Sequence, residues 1–169
     1  MSKLHLFFAI PILAMAVACS ENSDSDEYQS VMPTFSDVTF RNLSRPNETN
    51  FYVGDLIEAT AVQSKKGKLL YQSTYTWTSD PSETASHAYY TGGVYDKEPR
   101  DPKDTITVTT AGNYMLTMTG KYGISGQIGS QPKGTVYFSD GNGSVTYNSG
   151  ASVVAGYSVT INKRIYIRP

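Results

Sequence analysis

The chain is poor in the side chains that most catalytic and metal sites use. Its 169 residues hold one cysteine, Cys19, and two histidines, His5 and His87. A lone thiol excludes an internal disulfide framework and any multi-cysteine zinc site. With no histidine pair in the body of the chain, neither a metal nor a cofactor is expected. Ser-His-Asp chemistry would have to run through His87 in "SETASHAYY", which carries no nucleophile-elbow pattern. Charged residues are only 17% of the chain and the formal net charge is -1, so nucleic acid is not an expected partner. The longest apolar run, Leu6 to Ala18, falls well short of the roughly 20 residues that span a bilayer. No segment sustains the 3.6-residue period of an amphipathic helix.

What is present is tyrosine, glycine and alternation. There are 13 Tyr, 6 Phe and 1 Trp alongside 14 Gly, a composition that leans towards strands and tight turns. The length suits one domain with appendages, which can bury a core without covalent staples. Charge is unevenly placed: Glu21, Asp24, Asp26 and Glu27 form an acidic run with no base among them.

Lys3 followed by the apolar run to Ala18 has the form of a secretory signal, and Pro11 argues against a long regular helix there. Small residues Ala16 and Ala18 bracket Val17 directly before Cys19. Ala16-Val17-Ala18-Cys19 resembles the lipobox of bacterial lipoproteins, with Ala16 where Leu is commonest. The resemblance implies diacylglyceryl attachment to the Cys19 sulfur, cleavage before Cys19 and anchorage in a membrane by several acyl chains. The alternative is an ordinary secretory signal that ends in an incidental cysteine. Residues 1–18 are thus read as a signal peptide and 19–32 as a lipidated, disordered acidic tether. The acidic run after Cys19 resembles the export signals of Bacteroidetes surface lipoproteins, which implies display at the cell surface of the outer membrane. A plain solvated linker, with the protein on the periplasmic face, is the second reading.

From residue 33 to 169 the pattern predicts an all-β antiparallel sandwich. In "LLYQSTYTWT" (69–78), Leu69, Tyr71, Ser73, Tyr75 and Trp77 form one face and Leu70, Gln72, Thr74, Thr76 and Thr78 the other, with Trp77 in the core. Ile57, Ala59 and Ala61, then Ile106 and Val108, then Tyr114, Leu116 and Met118, and last Val159, Ile161, Ile165 and Ile167, share one parity each. Phe35, Val38 and Phe40 fit a first strand less cleanly. The stretches "YVGDLIEATA" (52–61), "YTWTSD" (75–80) and "TITVTTAGNYMLTMTG" (105–120) resemble PKD-like and immunoglobulin-like sandwiches of bacterial surface proteins. That resemblance implies a corner at Gly112, with Tyr114 packed inward and its hydroxyl near the corner backbone. Between 121 and 150 the chain departs from a minimal domain of this kind. A glycine-rich stretch, read as a flexible strand exit, precedes an apparent hairpin turning at Asp140-Gly141-Asn142-Gly143, inserted before the last strand.

Few clusters offer chemistry. The acids of "DKEPRDPKD" (96–104) alternate with bases around two prolines and read as a solvated loop rather than a glycosidase pair. Asp140 and Asn142 suggest calcium, but no terminal Glu completes an EF-hand, so the hairpin reading is preferred. Tyr89, Tyr90 and Tyr95 in "HAYYTGGVY" concentrate flat rings with polar tips, suited to a sugar ligand. Tyr122, Tyr137 and Tyr147 sit in or beside the insertion, and packing of the sandwich is the competing role for half of these six. The loops 64–68, 96–104 and 121–150 are expected at one end of the sandwich, where the tether also enters. The expected protein is a lipid-anchored, non-catalytic binding module with a glycan as first candidate ligand, and a structural subunit of an outer-membrane or fimbrial complex as the alternative.

Overall fold

The computed structural model describes residues 29–82, 85–86, 102–124, 127–129, 131–149 and 157–169. The leader, Cys19, His87, Tyr89, Tyr90 and Tyr95 lie outside these. The described residues form twelve strands and no helix. One antiparallel sheet holds β2 (Thr34–Asn42), β4 (Leu56–Lys65), β7 (Lys103–Thr107) and β6 (Ala85–Ser86), in that order. The larger sheet runs β10 (Gly134–Tyr137), β11 (Gly143–Ser149), β12 (Tyr157–Arg168), β8 (Gly112–Ile124) and β5 (Leu70–Asp80), all antiparallel. A short β3 (Phe51–Tyr52) pairs parallel with the end of β12. β1 (Gln29–Ser30) pairs parallel with β9 (Gln127–Ile128) at the end where the chain enters.

The inward residues of both sheets form one core, which is the reason the alternating segments become strands: burying every second side chain requires period two. Ile57, Ala59 and Ala61 on β4 are fully buried, as are Met118, Val159 and Ile161, and Trp77 is 2% exposed. β2 alternates poorly because its register shifts between Thr34 and Asp37, which puts Phe35 and Val38 inward three residues apart. A second irregularity corrects the expected parity of β5. Leu70 faces Ile124 and Gln72 faces Gly123, so Tyr71 is an extra residue, and Leu70 rather than Leu69 enters the core.

Leu69 instead takes a φ of 51°, outside the regions ordinary for a β- or α-residue. Its carbonyl accepts the Ser30 hydroxyl at 2.6 Å, and the preceding Lys68 exchanges both backbone hydrogen bonds with Val31. The chain entering the domain is therefore strapped down. Gln131 completes the strap: its amide nitrogen donates to the carbonyls of Ser30 and Gly129, while its oxygen accepts Met32 N–H. Met32 is 1% exposed. Residues 29–32, expected to belong to the tether, belong to the fold; their hydrogen-bond partners, Lys68, Leu69 and Gln131 among them, are far away in the chain, which composition does not reveal. Glycines expected to give flexibility serve close packing. A Cβ at Gly129 would lie 2.8 Å from the Gln29 side chain, and one at Gly120 would lie 3.0 Å from Tyr122 and Val159.

The corner before β8 forms as expected. Gly112 has a φ of +149°, Tyr114 is buried, and its hydroxyl donates to the Thr110 carbonyl at 3.0 Å. The expected hairpin before the last strand is also present as β10 and β11, turning at Gly141 (φ 70°) with Asn142 N–H on the Asp140 carboxylate. What the alternation of β12 did not signal is Lys163, which shares the inward parity of Val159, Ile161, Ile165 and Ile167 and is 5% exposed. Its ammonium pairs with Asp37 of the opposite sheet at 2.6 Å and with Asp140 of the hairpin turn. Burial favours the neutral amine, but hydrogen bonds and charges from Asp140 and Asp37 outweigh it and hold the lysine above its ordinary pKa. This clamp joins both sheets to the hairpin.

Candidate functional site

The outer face of the larger sheet is built by the residues that the core rejects. On β5 these are Thr74, Thr76 and Thr78; on β8, Thr117 and Thr119; on β12, Ser158, Thr160 and Asn162; on β11, Ser144 and Thr146; on β10, Thr135 and Tyr137. Threonine suits such positions, since its branched Cβ favours the extended backbone and its hydroxyl satisfies solvent. The registers align them into rows. Thr135 opposes Thr146, which opposes Thr160, then Thr119, then Thr76: five threonines on five adjacent strands. At about 4.8 Å between strands the row is about 19 Å long. The next row is Tyr137, Ser144, Asn162, Thr117 and Thr78. These two rows contain no charged side chain.

The hydroxyls and amides are partly pre-arranged. Thr117 donates to the Asn162 side-chain oxygen at 2.8 Å, and the Thr135 and Thr146 hydroxyls are 2.9 Å apart. Thr76, Thr119 and Thr160 make no side-chain hydrogen bond within the described residues, so their hydroxyls are available to a ligand. Charges stand only at the margins: Lys121 on one side, Asp80, Arg164 and Arg168 on the other. Two aromatic rings complete the face, Tyr137 on the edge strand at 78% exposure and Tyr166 near the end of β12 at 54%. Rigid strands hold all of these groups, and their chemistry is that of hydrogen-bond donors, acceptors and flat apolar rings.

The outer face of the smaller sheet is different in kind. Glu58 on β4 sits between Arg41 on β2, at 3.2 Å, and Lys103 on β7, at 3.6 Å. At the far end of that sheet the 43–55 connection is knit around Asp55, 4% exposed, which accepts from Arg45, Asn42 and Tyr52 N–H, with Arg45 stacked 4.0 Å over the Tyr52 ring. Burial raises the Asp55 pKa, but these hydrogen bonds and the Arg45 charge outweigh it and hold the carboxyl below its usual value. Paired in this way, the carboxylate is a structural knot.

The residues singled out from sequence separate sharply. Tyr122 and Tyr147 are buried, Tyr147 accepting Phe35 N–H at 2.9 Å, so packing takes both. Tyr137 alone of that trio reaches solvent. Asp140, suggested for calcium, is engaged by Lys163 and Asn142 N–H, which lower its pKa. Among the described residues no three acids, histidines or cysteines cluster as metal ligands. Tyr89, Tyr90 and Tyr95 lie outside the described residues, as does Cys19. Thr34, Lys65, Lys103 and Ile124 lie towards the end where the chain enters, whereas the hairpin turn at Gly141, within the 121–150 stretch expected there, points towards the other end. The threonine row was missed because no single strand displays it: β5 shows hydroxyls on alternate positions, but the row exists only once the registers are known.

Comparison of the chain with protein-family models, with curated proteins and with solved structures finds no match. The functional reading therefore rests on the site itself.

Proposed function

We propose that this chain is a lipid-anchored, non-catalytic binding module of a Bacteroidetes-type outer-membrane lipoprotein, displayed at the cell surface, and that its ligand is a neutral glycan. The observation that carries the ligand class is the pair of uncharged central rows on the outer face of the larger sheet, with their seven threonines and exposed Tyr137. A sugar presents hydroxyls in every direction and apolar ring faces above and below. It is met here by neutral donors and acceptors with a tyrosine ring beside them. The anchoring part of the proposal rests on the lipobox resemblance at Cys19 and the acidic run after it.

An immunoglobulin-like identity for the sandwich is part of the same proposal. In its support, the sheet order β2-β4-β7-β6 against β5-β8-β12 corresponds to strands ABED against CFG, and the Tyr114 hydroxyl on Thr110 corresponds to a tyrosine corner. The hairpin β10–β11 would then be an insertion between the last two strands that widens the CFG sheet from three strands to five.

The test is a glycan array, followed by affinity gels, with the full chain in detergent. Binding to neutral glycans that is lost on placing charge at Thr119 and Thr160, and kept on changing Tyr89, Tyr90 and Tyr95 to Ala, is the expected result. Loss with the three loop tyrosines alone would move the site to the loop. A second reading, a structural subunit of an outer-membrane complex, is favoured by the edge strand β10, whose Val136 and Tyr137 are 53% and 78% exposed. Such an edge accepts a strand from a protein partner. A stoichiometric partner that is lost on changing Thr135 to Pro, with no sugar affinity, would select it.

A further inference from the structure

Two rings rise from an otherwise hydroxyl-covered face, and their placement constrains the ligand further. Tyr137 shares a row with Asn162, and Tyr166 lies four residues further along β12. β10 and β12 are two strand spacings apart, so the rings stand about 17 Å from each other on a diagonal of the sheet. Between them lie Ser144, Asn162 and Arg164, three hydrogen-bonding side chains of outward parity. The charged residues at the other margins, Lys121 and Asp80, are off this diagonal. Among the described residues these are the only two large aromatic side chains of this face more than half exposed.

Building on the glycan reading above, we propose that the ligand is a linear, neutral oligosaccharide that lies along this diagonal, with one sugar ring stacked on Tyr137, another on Tyr166, the intervening hydroxyls on Ser144, Asn162 and Arg164, and its flank along the threonine row at Thr146 and Thr160. Two platforms separated by a fixed distance act as linked contacts: a chain long enough to engage both gains affinity that neither ring supplies alone. A disaccharide reaches only one of them. The strand scaffold fixes the separation, so the site measures length as well as chemistry.

Titration calorimetry of the full chain in detergent, against β-1,4-glucan, β-1,4-mannan and α-1,4-glucan oligosaccharides from disaccharide to hexasaccharide, tests this. In the series that binds, the affinity of the hexasaccharide is expected to exceed that of the disaccharide by at least about tenfold. Tyr137→Ala and Tyr166→Ala are each expected to lower hexasaccharide affinity by a similar factor and to flatten the length dependence. Tyr166→Phe, which keeps the ring, is expected to keep the affinity. Both positions are exposed, and an unchanged thermal midpoint verifies folding. Affinity independent of length, or indifference to Tyr166→Ala while Tyr137→Ala abolishes binding, overturns the diagonal and leaves a glycan site of another shape. Equal loss in Tyr166→Phe and Tyr166→Ala overturns stacking. Binding of acidic glycans only overturns the neutral ligand class, and absence of binding to any sugar removes the glycan reading with it.

Discussion

The two outer faces of this sandwich are made from the same kind of strand and solve the same problem of meeting water, yet they do so in opposite ways. The smaller sheet carries Glu58 between Arg41 and Lys103, opposite charges placed across neighbouring strands. The larger sheet carries two rows without charge, ten residues of which seven are threonine. A charged face keeps its water, because ions are costly to desolvate. Neutral hydroxyls release water at much smaller cost and can exchange it for another polyhydroxyl surface. On the proposed reading, the difference separates a face dressed for solvent from one suited to a ligand.

The largest effect is expected from making one face resemble the other. Thr119 and Thr160 are directly opposite on neighbouring strands, so Thr119→Glu with Thr160→Lys places a charge pair in the centre of the row. Sugar binding should fall at least about a hundredfold, corresponding to roughly 2.7 kcal/mol, while the pair itself changes stability by less than about 1 kcal/mol. Calorimetry beside a urea melt separates the two; a parallel loss of stability would mean the face is structural.

A smaller effect separates scaffold from face. Tyr114→Phe removes the hydroxyl from the Thr110 carbonyl and should cost about 1 kcal/mol, lowering the thermal midpoint by about 4 °C with glycan affinity unchanged. Affinity that falls with the midpoint would tie the face to the corner.

Acidity should act on the charged elements and spare the neutral face. Asp55 and Asp140 are held below the ordinary carboxyl range in the fold. Their contribution is complete above the unfolded value of about 3.9 and is lost as pH falls through the lower folded value. Lys163 is held above its ordinary value, so its contribution is complete below about 10.4 and lost as pH rises through the higher folded value. Stability should therefore decline at both extremes, and Asp55→Asn should flatten the acid limb in denaturant melts. Sugar affinity should stay level between about pH 5 and 8, because the face carries no histidine, the side chain that ordinarily changes charge there.

The smallest effect is expected on the charged face. Glu58→Gln breaks two half-exposed pairs and should cost below about 1 kcal/mol, less at high salt, with no change in sugar affinity. A change in affinity would place a ligand on that face.

Much of the architecture could be read along the chain, because alternation reports directly on burial. Ile57-x-Ala59-x-Ala61 and Tyr114-x-Leu116-x-Met118 needed no partner to declare an inward face. Where a bulge adds a residue, as at Tyr71, parity flips and the reading fails by one. Lys163 failed for another reason: a charge on an inward position is tolerable only because Asp37 and Asp140 arrive from 126 and 23 residues away. The site was less legible still. Tyr137 and Tyr147 looked alike in the insertion, and only the packing of Tyr147 against β2 distinguished them.

By itself, the sequence determined the all-β class, the corner at Gly112 and Tyr114 and the hairpin at Gly141, since each depends on residues within a few positions of one another. Tertiary structure alone decided that residues 29–32 belong to the fold, that Lys163 joins the sheets, and that threonines from five strands stand in one row. Those features are made by register and by contacts across the sandwich, and register is a relation between strands that no single strand encodes.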